Sequence, residues 1–167
     1  MKNLFLAILL ISSATFSFGQ QEQFPILKME SRILDFANLL TADQKKSIFL
    51  LMQDLETKVG SQIAIVTIVS LNGQSIDKYA RNKANLMGLG REKYKDGILI
   101  VYALRDGLLR TEVSIGLEKI ITNEISARIN EVAMAPQLKA QNYAQAFYNG
   151  VQALKERIEA NRDLIGK

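Results

Sequence analysis

The sequence predicts one α/β domain, a small mixed sheet with helices on both faces. Three observations carry that prediction. Residues 61–69 (SQIAIVTIV) and Gly97–Ala103 (GILIVYA) are almost continuously apolar, as strands covered on both faces must be. A helical pattern lies between them, so the two strands pair in parallel across a crossover expected to be right-handed. Asp106-Gly107 then returns the chain through Leu109, Arg110, Thr111, Glu112 and Val113, whose alternation is that of an antiparallel hairpin strand.

A leader precedes this domain. Met1-Lys2 is a positive start, residues 4–11 are apolar, and Ser17-Phe18-Gly19 makes a small-x-small cleavage signature before Gln20. Residues 1–19 therefore read as a secretory signal peptide, its apolar run too short to span a bilayer. Polar residues 20–31, with Pro25, read as a tether, residues 32–160 as the domain and 161–167 as a tail.

Within the domain, residues 31–40 form a short extended segment that runs into a helix. Thr41 and Gln44 have the spacing of a capping box. Ile48, Leu51, Met52, Leu55 and Val59 make the buried stripe, and Gly60 closes the helix. Asn72-Gly73 ends the next strand. Ser75 starts a helix with Ile76, Tyr79, Ala80, Ala84 and Met87 on one face, ending near Gly88 and Gly90.

The Asp106-Gly107 turn is expected to take positive backbone angles at both positions, as a two-residue loop. Alternation then puts Leu109, Thr111, Val113 and Ile115 on one face and Arg110, Glu112 and Ser114 on the other. Residues 117–121 read as a helical turn. The next helix starts at Thr122-Asn123-Glu124 and turns Ile125, Ile129, Val132 and Ala133 inward. Pro136 interrupts. Tyr143–Ala160 is the last helix, with Phe147, Val151, Leu154 and Ile158 as its stripe.

Absences narrow the chemistry. The chain has no His and no Cys, so it has no Ser-His-Asp triad, no thiol nucleophile and no zinc site of the usual kind. Any metal must be held by oxygen, which favours Ca²⁺ or Mg²⁺. The net charge of +4 is mild and its basic residues are scattered, unlike the basic face of a nucleic-acid binder.

The hairpin carries the candidate chemistry. Asp96 precedes its first strand and Glu118 follows its second, so antiparallel pairing brings them to the same end of the sheet. Arg110 and Glu112 lie between. Loop carboxylates at one sheet edge suit a hard divalent ion, and Arg110 beside it suits a phosphate. A local reading stands alongside: Asp96 caps a turn, Glu118 favours a helix start, and Arg110–Glu112 is a surface pair contributing about 0–1 kcal/mol.

Several signatures occur in one order: Asp35-x-Ala37-x-x-Leu40-Thr41, then residues 60–67 (GSQIAIVT), then Asp96-Gly97-Ile98-Leu99-Ile100. Arg110-x-Glu112, Gly116-Leu117-Glu118, Pro136, Asn142-Tyr143 and Gly150 follow. This set resembles the TPM domain family, which includes thylakoid-lumen photosystem II repair proteins and secreted bacterial proteins. The resemblance covers about residues 33–154. It implies an α/β/α sandwich outside the cytoplasm, with Ca²⁺ or Mg²⁺ as cofactor. It places the family's acidic positions on Asp35, Asp96, Glu112 and Glu118, as metal ligands, and its basic strand position on Arg110. Ser114 stands where the family usually has Gly, Asn123 where Asp is common, and Gly107 where Arg or Lys is common.

The expected function is thus a periplasmic or secreted domain that binds a divalent cation through loop carboxylates. A weak metal-dependent acid phosphatase and a non-catalytic interaction or quality-control module are the alternatives. Expected partners are the cation and a phosphate-bearing ligand or a protein, not nucleic acid. No transmembrane anchor is expected after leader cleavage, and the chain is expected to be a monomer.

Overall fold

The computed structural model describes residues 28–167. Residues 1–27, on which the expected signal peptide and most of the expected tether fall, lie outside the described residues. The chain runs α1 (Met29–Arg32), β1 (Ile33–Asp35), α2 (Ala42–Val59), β2 (Gln62–Ile68), α3 (Ile76–Met87), β3 (Gly97–Ala103) and β4 (Leu108–Val113). After β4 come a 3-10 turn (Ile115–Leu117), α4 (Asn123–Ile129), a π turn (Asn130–Met134), α5 (Ala135–Lys139), α6 (Tyr143–Ala160) and a 3-10 turn (Arg162–Leu164). The sheet order is β1-β2-β3-β4, parallel except for the β3–β4 hairpin.

Every residue of β2 and β3 is buried, which confirms the reading of their unbroken apolar runs. Their alternate side chains feed two separate cores. Ile63, Ile65, Ile98, Ile100 and Tyr102 meet α2 and α6 on one face. Ala64, Val66, Leu99 and Val101 meet α3 on the other. The domain is an α/β/α sandwich. From β1 to β3 the chain steps twice in the same direction, yet α2 and α3 lie on opposite faces. The two crossovers therefore have opposite hands, and the right-handed preference holds for only one of them.

Local signals account for the element ends. Thr41 and Gln44 form the expected capping box, and Gly60 closes α2 at φ 83°. Ser75 occupies the N-cap of α3 but makes no side-chain capping bond. The hairpin differs from expectation. Ala103 pairs with Leu108, so the loop has four residues rather than two, and only Gly107 takes a positive φ, 64°. Asp106 instead accepts the Leu71 N–H at 2.8 Å, a long-range tie that fixes the loop against β2's exit.

Three further expectations change. Val132 is 67% exposed, because the π turn inserts an extra residue and rotates the following positions, burying Met134 instead. Pro136 does not end the helix but falls in the first turn of α5, where a missing N–H costs little. Ile115 leaves the strand pattern for the 3-10 turn and is 72% exposed.

Packing and hydrogen bonds reach both ends of the described residues. Residue 29 opens a helical turn that buries Arg32 completely. At the other end the Gly166 N–H donates to the Gly116 carbonyl at 2.9 Å, and Ile165 packs on the larger core. Among the described residues no helix is long and apolar enough to cross a membrane.

Candidate functional site

The structure does not bring the four expected carboxylates together. Asp35 ends β1 level with Thr67, whereas Asp96 stands just before β3, its carbonyl accepting the Gln62 N–H. Those levels are five residues apart along β2, a separation of about 17 Å. Asp96 and Glu118 do lie towards the same end of the sheet, as the hairpin requires.

Asp35 is occupied by its own loop. It accepts from the N–H groups of Leu39 and Leu40 at 3.0 Å each, the Thr67 hydroxyl at 2.5 Å and the Lys45 ammonium at 3.1 Å. Burial alone raises its pKa, but the four donors outweigh burial and hold the carboxyl below its ordinary value. Asp35 thus shapes the turn into α2. A depressed folded pKa adds stability that is present above the unfolded carboxyl pKa and lost as pH falls through the folded value. Asp35→Asn is expected to cost about 2 kcal/mol at neutral pH, as loss of charged hydrogen bonds does. Urea melts of the two proteins should converge on acidification below about pH 4. A gap that stays constant with pH would assign the loss to packing.

Asp96 is wholly buried. Its Oδ1 accepts the Arg91 N–H at 2.7 Å, and its Oδ2 accepts Arg91 Nε at 2.9 Å, Arg91 Nη2 at 2.5 Å and Ser61 Oγ at 3.1 Å. The Arg91 guanidinium covers the Tyr94 ring, 4.0 Å from its centroid. With four donors already on it, this carboxylate anchors residues 88–96 to the sheet.

Glu112, Glu118 and Arg110 do share a place. They line a polar cleft of about 420 Å³ between α3, β4 and the turn into α4, with Arg81, Thr122, Asn123 and Glu124. Arg110 donates from Nε and Nη2 to Glu112 Oε2 at 3.2 and 3.0 Å, and its Nη1 lies 3.2 Å from Asp77. Arg81 lies 3.5 Å from the other Glu112 oxygen. Glu124 accepts the Thr122 hydroxyl at 2.7 Å, which keeps its pKa below the usual range. Four carboxylates face two guanidiniums here, so the local charge is negative. A hollow of about 580 Å³ continues from Arg81 and Glu112 towards Gly90 and Lys95. Among the described residues no three His, Cys, Asp or Glu side chains already stand close enough to hold an ion.

The sequence reading missed Arg81, Asp77 and Glu124 as parts of this place. Asp77 and Arg81 are four apart on α3, a spacing that puts both on one helix face, here the one over β4. That spacing is visible in the sequence; the strand it faces is not.

The sequence model of the TPM domain, labelled TPM_phosphatase, matches residues 33–157. The chain belongs to the TPM domain family. No curated protein matches it. Among solved structures, the N-terminal domain of a P. gingivalis protein superposes with a TM-score of 0.73 at 24% identity, covering 83% of this chain and 88% of that one. The N-terminal domain of the cg2496 protein from Corynebacterium glutamicum gives 0.64 at 11%, covering 80% and 83%. The BA42 protein of the psychrophilic Bizionia argentinensis gives 0.64 at 17%, covering 76% and 84%. At these identities the likeness concerns the fold. Within this TPM domain, the α3–β4 cleft gathers more of the expected site residues than any other described hollow.

Proposed function

We propose that this TPM domain is a periplasmic or secreted binding module that takes a divalent cation, Ca²⁺ or Mg²⁺, in the α3–β4 cleft. One observation carries the reading: Glu112, Glu118 and Glu124 come from a strand, a turn and a helix start to one net-negative cleft, beside the Thr122 hydroxyl and Asn123 amide. All are hard oxygen donors, the chemistry these ions require. Glu118 is exposed and has room to swing inward, Glu124 is exposed but holds the Thr122 hydroxyl, and Glu112 must exchange guanidiniums for the ion. An ion held by Glu112 would compete with Arg110 for that carboxylate and leave the guanidinium to an anion at the same mouth. Without the ion, Arg110 points its Nε and Nη2 at Glu112 and its Nη1 at Asp77.

Calcium titration followed by amide shifts tests the reading. We expect saturable shifts around residues 112, 118 and 122–124 with a dissociation constant on the order of 10⁻⁴–10⁻³ M, the range of extracellular calcium modules. Glu118→Gln should weaken binding by about tenfold, and Asp35→Asn should leave it unchanged. Equal weakening by both substitutions, or shifts that never saturate, would remove the cleft as the site. Aryl phosphate turnover that needs both calcium and Arg110 would make the module an enzyme.

A further inference from the structure

A second groove, sharing no residue with the cleft, lies where α2 and α6 begin side by side. The two helices run parallel, since Asp54 meets Lys155 at 2.9 Å while Gln44 and Ser47 meet Gln145 and Tyr148 around one hollow. Two adjoining hollows of about 250 and 420 Å³ share Gln44, Ala144 and Gln145. In a chain with 23% charged residues, Asp43 is the one charged side chain among the described residues that lines them.

The other polar groups are amides, a hydroxyl and two tyrosines. Gln44 Oε1 is taken by the Thr41 N–H, but its Nε2 has no partner among the described residues. Gln141 has none at either amide atom among them, and Gln145 donates to Asn149 while keeping its oxygen open. Each amide offers a donor and an acceptor on one plane. Tyr143 is half-buried and held 6.1 Å from the Tyr102 ring, and Tyr148 is 38% exposed.

The lining sorts the possible ligands. An anion finds no cation and meets Asp43. A metal finds one carboxylate. An apolar ligand finds mainly amides. A molecule with many hydroxyls and no charge finds paired donors and acceptors with aromatic faces for its C–H surfaces. We infer that this groove is a binding site for a neutral saccharide.

The test is titration of the ¹⁵N-labelled full chain with N-acetylglucosamine trimer, maltotriose and, as the charged comparison, trigalacturonate. A neutral sugar should give saturable shifts confined to residues 43–48 and 137–148, and trigalacturonate should give none there. Tyr148→Ala and Gln145→Ala, both at exposed positions that leave the far-ultraviolet dichroism unchanged, should each weaken the neutral sugar by about tenfold. Calcium should not alter these shifts, which separates this result from the fate of the cleft. The inference is overturned if neither neutral sugar saturates, if the acidic trimer binds equally, or if neither substitution changes affinity.

Discussion

Glu56→Ala is expected to lower the folding free energy by about 3–5 kcal/mol, the usual effect of stranding one partner of a buried ion pair. Glu56 is the counter-charge of Arg32, which is 0% exposed at the end of α1. Arg32 Nη2 donates to Glu56 Oε2, and Nη1 donates to the Ile63 carbonyl at 2.7 Å. Gln62 Nε2 donates to the second Glu56 oxygen at 2.7 Å, and Gln62 Oε1 accepts the Gly90 N–H at 2.9 Å. One carboxylate therefore ties the first turn of the domain, the end of α2, the start of β2 and the loop after α3. Burial pushes the Arg32 pKa down and Glu56 opposes the shift, so alanine leaves a guanidinium in apolar surroundings with Nε already unpartnered among the described residues. The double change Arg32→Met with Glu56→Leu should recover most of the loss, because it removes both charges. Urea midpoints decide the matter. Single and double variants of equal stability would show that the pair is worth no more than its packing.

Gly116→Ala is the second large effect. A Cβ there would stand 1.7 Å from the Tyr94 carbonyl oxygen and 2.8 Å from that of Lys95, both backbone atoms that cannot swing aside. The Gly116 N–H also donates to the Lys95 carbonyl at 2.9 Å, and its own carbonyl accepts from Gly166. Three segments cross at this point: the loop into β3, the turn after β4 and the chain's last residues. Only a residue without a side chain lets them meet. Forcing them apart should cost about 3 kcal/mol or more. For a chain of this size that corresponds to a melting temperature lower by about 6–12 °C. The turn that carries Glu118 would move too, so the calcium affinity proposed for the cleft should fall with stability. An unchanged melting temperature would mean that the loops separate without cost.

The fold was legible because its signals are local and redundant. The unbroken runs of β2 and β3, the stripe of α2 with its Thr41–Gln44 cap, and the Phe147-Val151-Leu154-Ile158 stripe each declare an element without reference to the others. The misreadings arose where a tertiary contact decided the outcome. Asp106-Gly107 does lie in the turn, but the loop has four residues rather than two and the Asp106 carboxylate is taken by the Leu71 N–H beyond the neighbouring strand. Val132 followed the helical period until the π turn broke it.

The site was half legible for the same reason. Glu112 and Glu118 share a cleft because one lies on β4 and the other on the turn that directly follows it, a proximity visible in the sequence. Asp35 and Asp96 are acidic residues at strand ends too, but parallel pairing puts the end of β1 and the start of β3 at opposite ends of the sheet. Sequence order alone does not show that each already had its donors, Asp35 from Leu39, Leu40 and Lys45 nearby and Thr67 on β2, and Asp96 from Arg91 nearby and Ser61 ahead of β2.

Paramagnetic mapping with Mn²⁺, an oxygen-preferring ion that can replace Ca²⁺ or Mg²⁺, tests the central claim most directly. Substoichiometric Mn²⁺ should broaden the amides of residues 110–113, 118 and 122–124 first, while those of Leu39, Leu40 and Arg91 stay sharp. Broadening centred on Asp35 or Asp96 instead, or spread evenly over the surface, would contradict the assignment of the cation to the α3–β4 cleft.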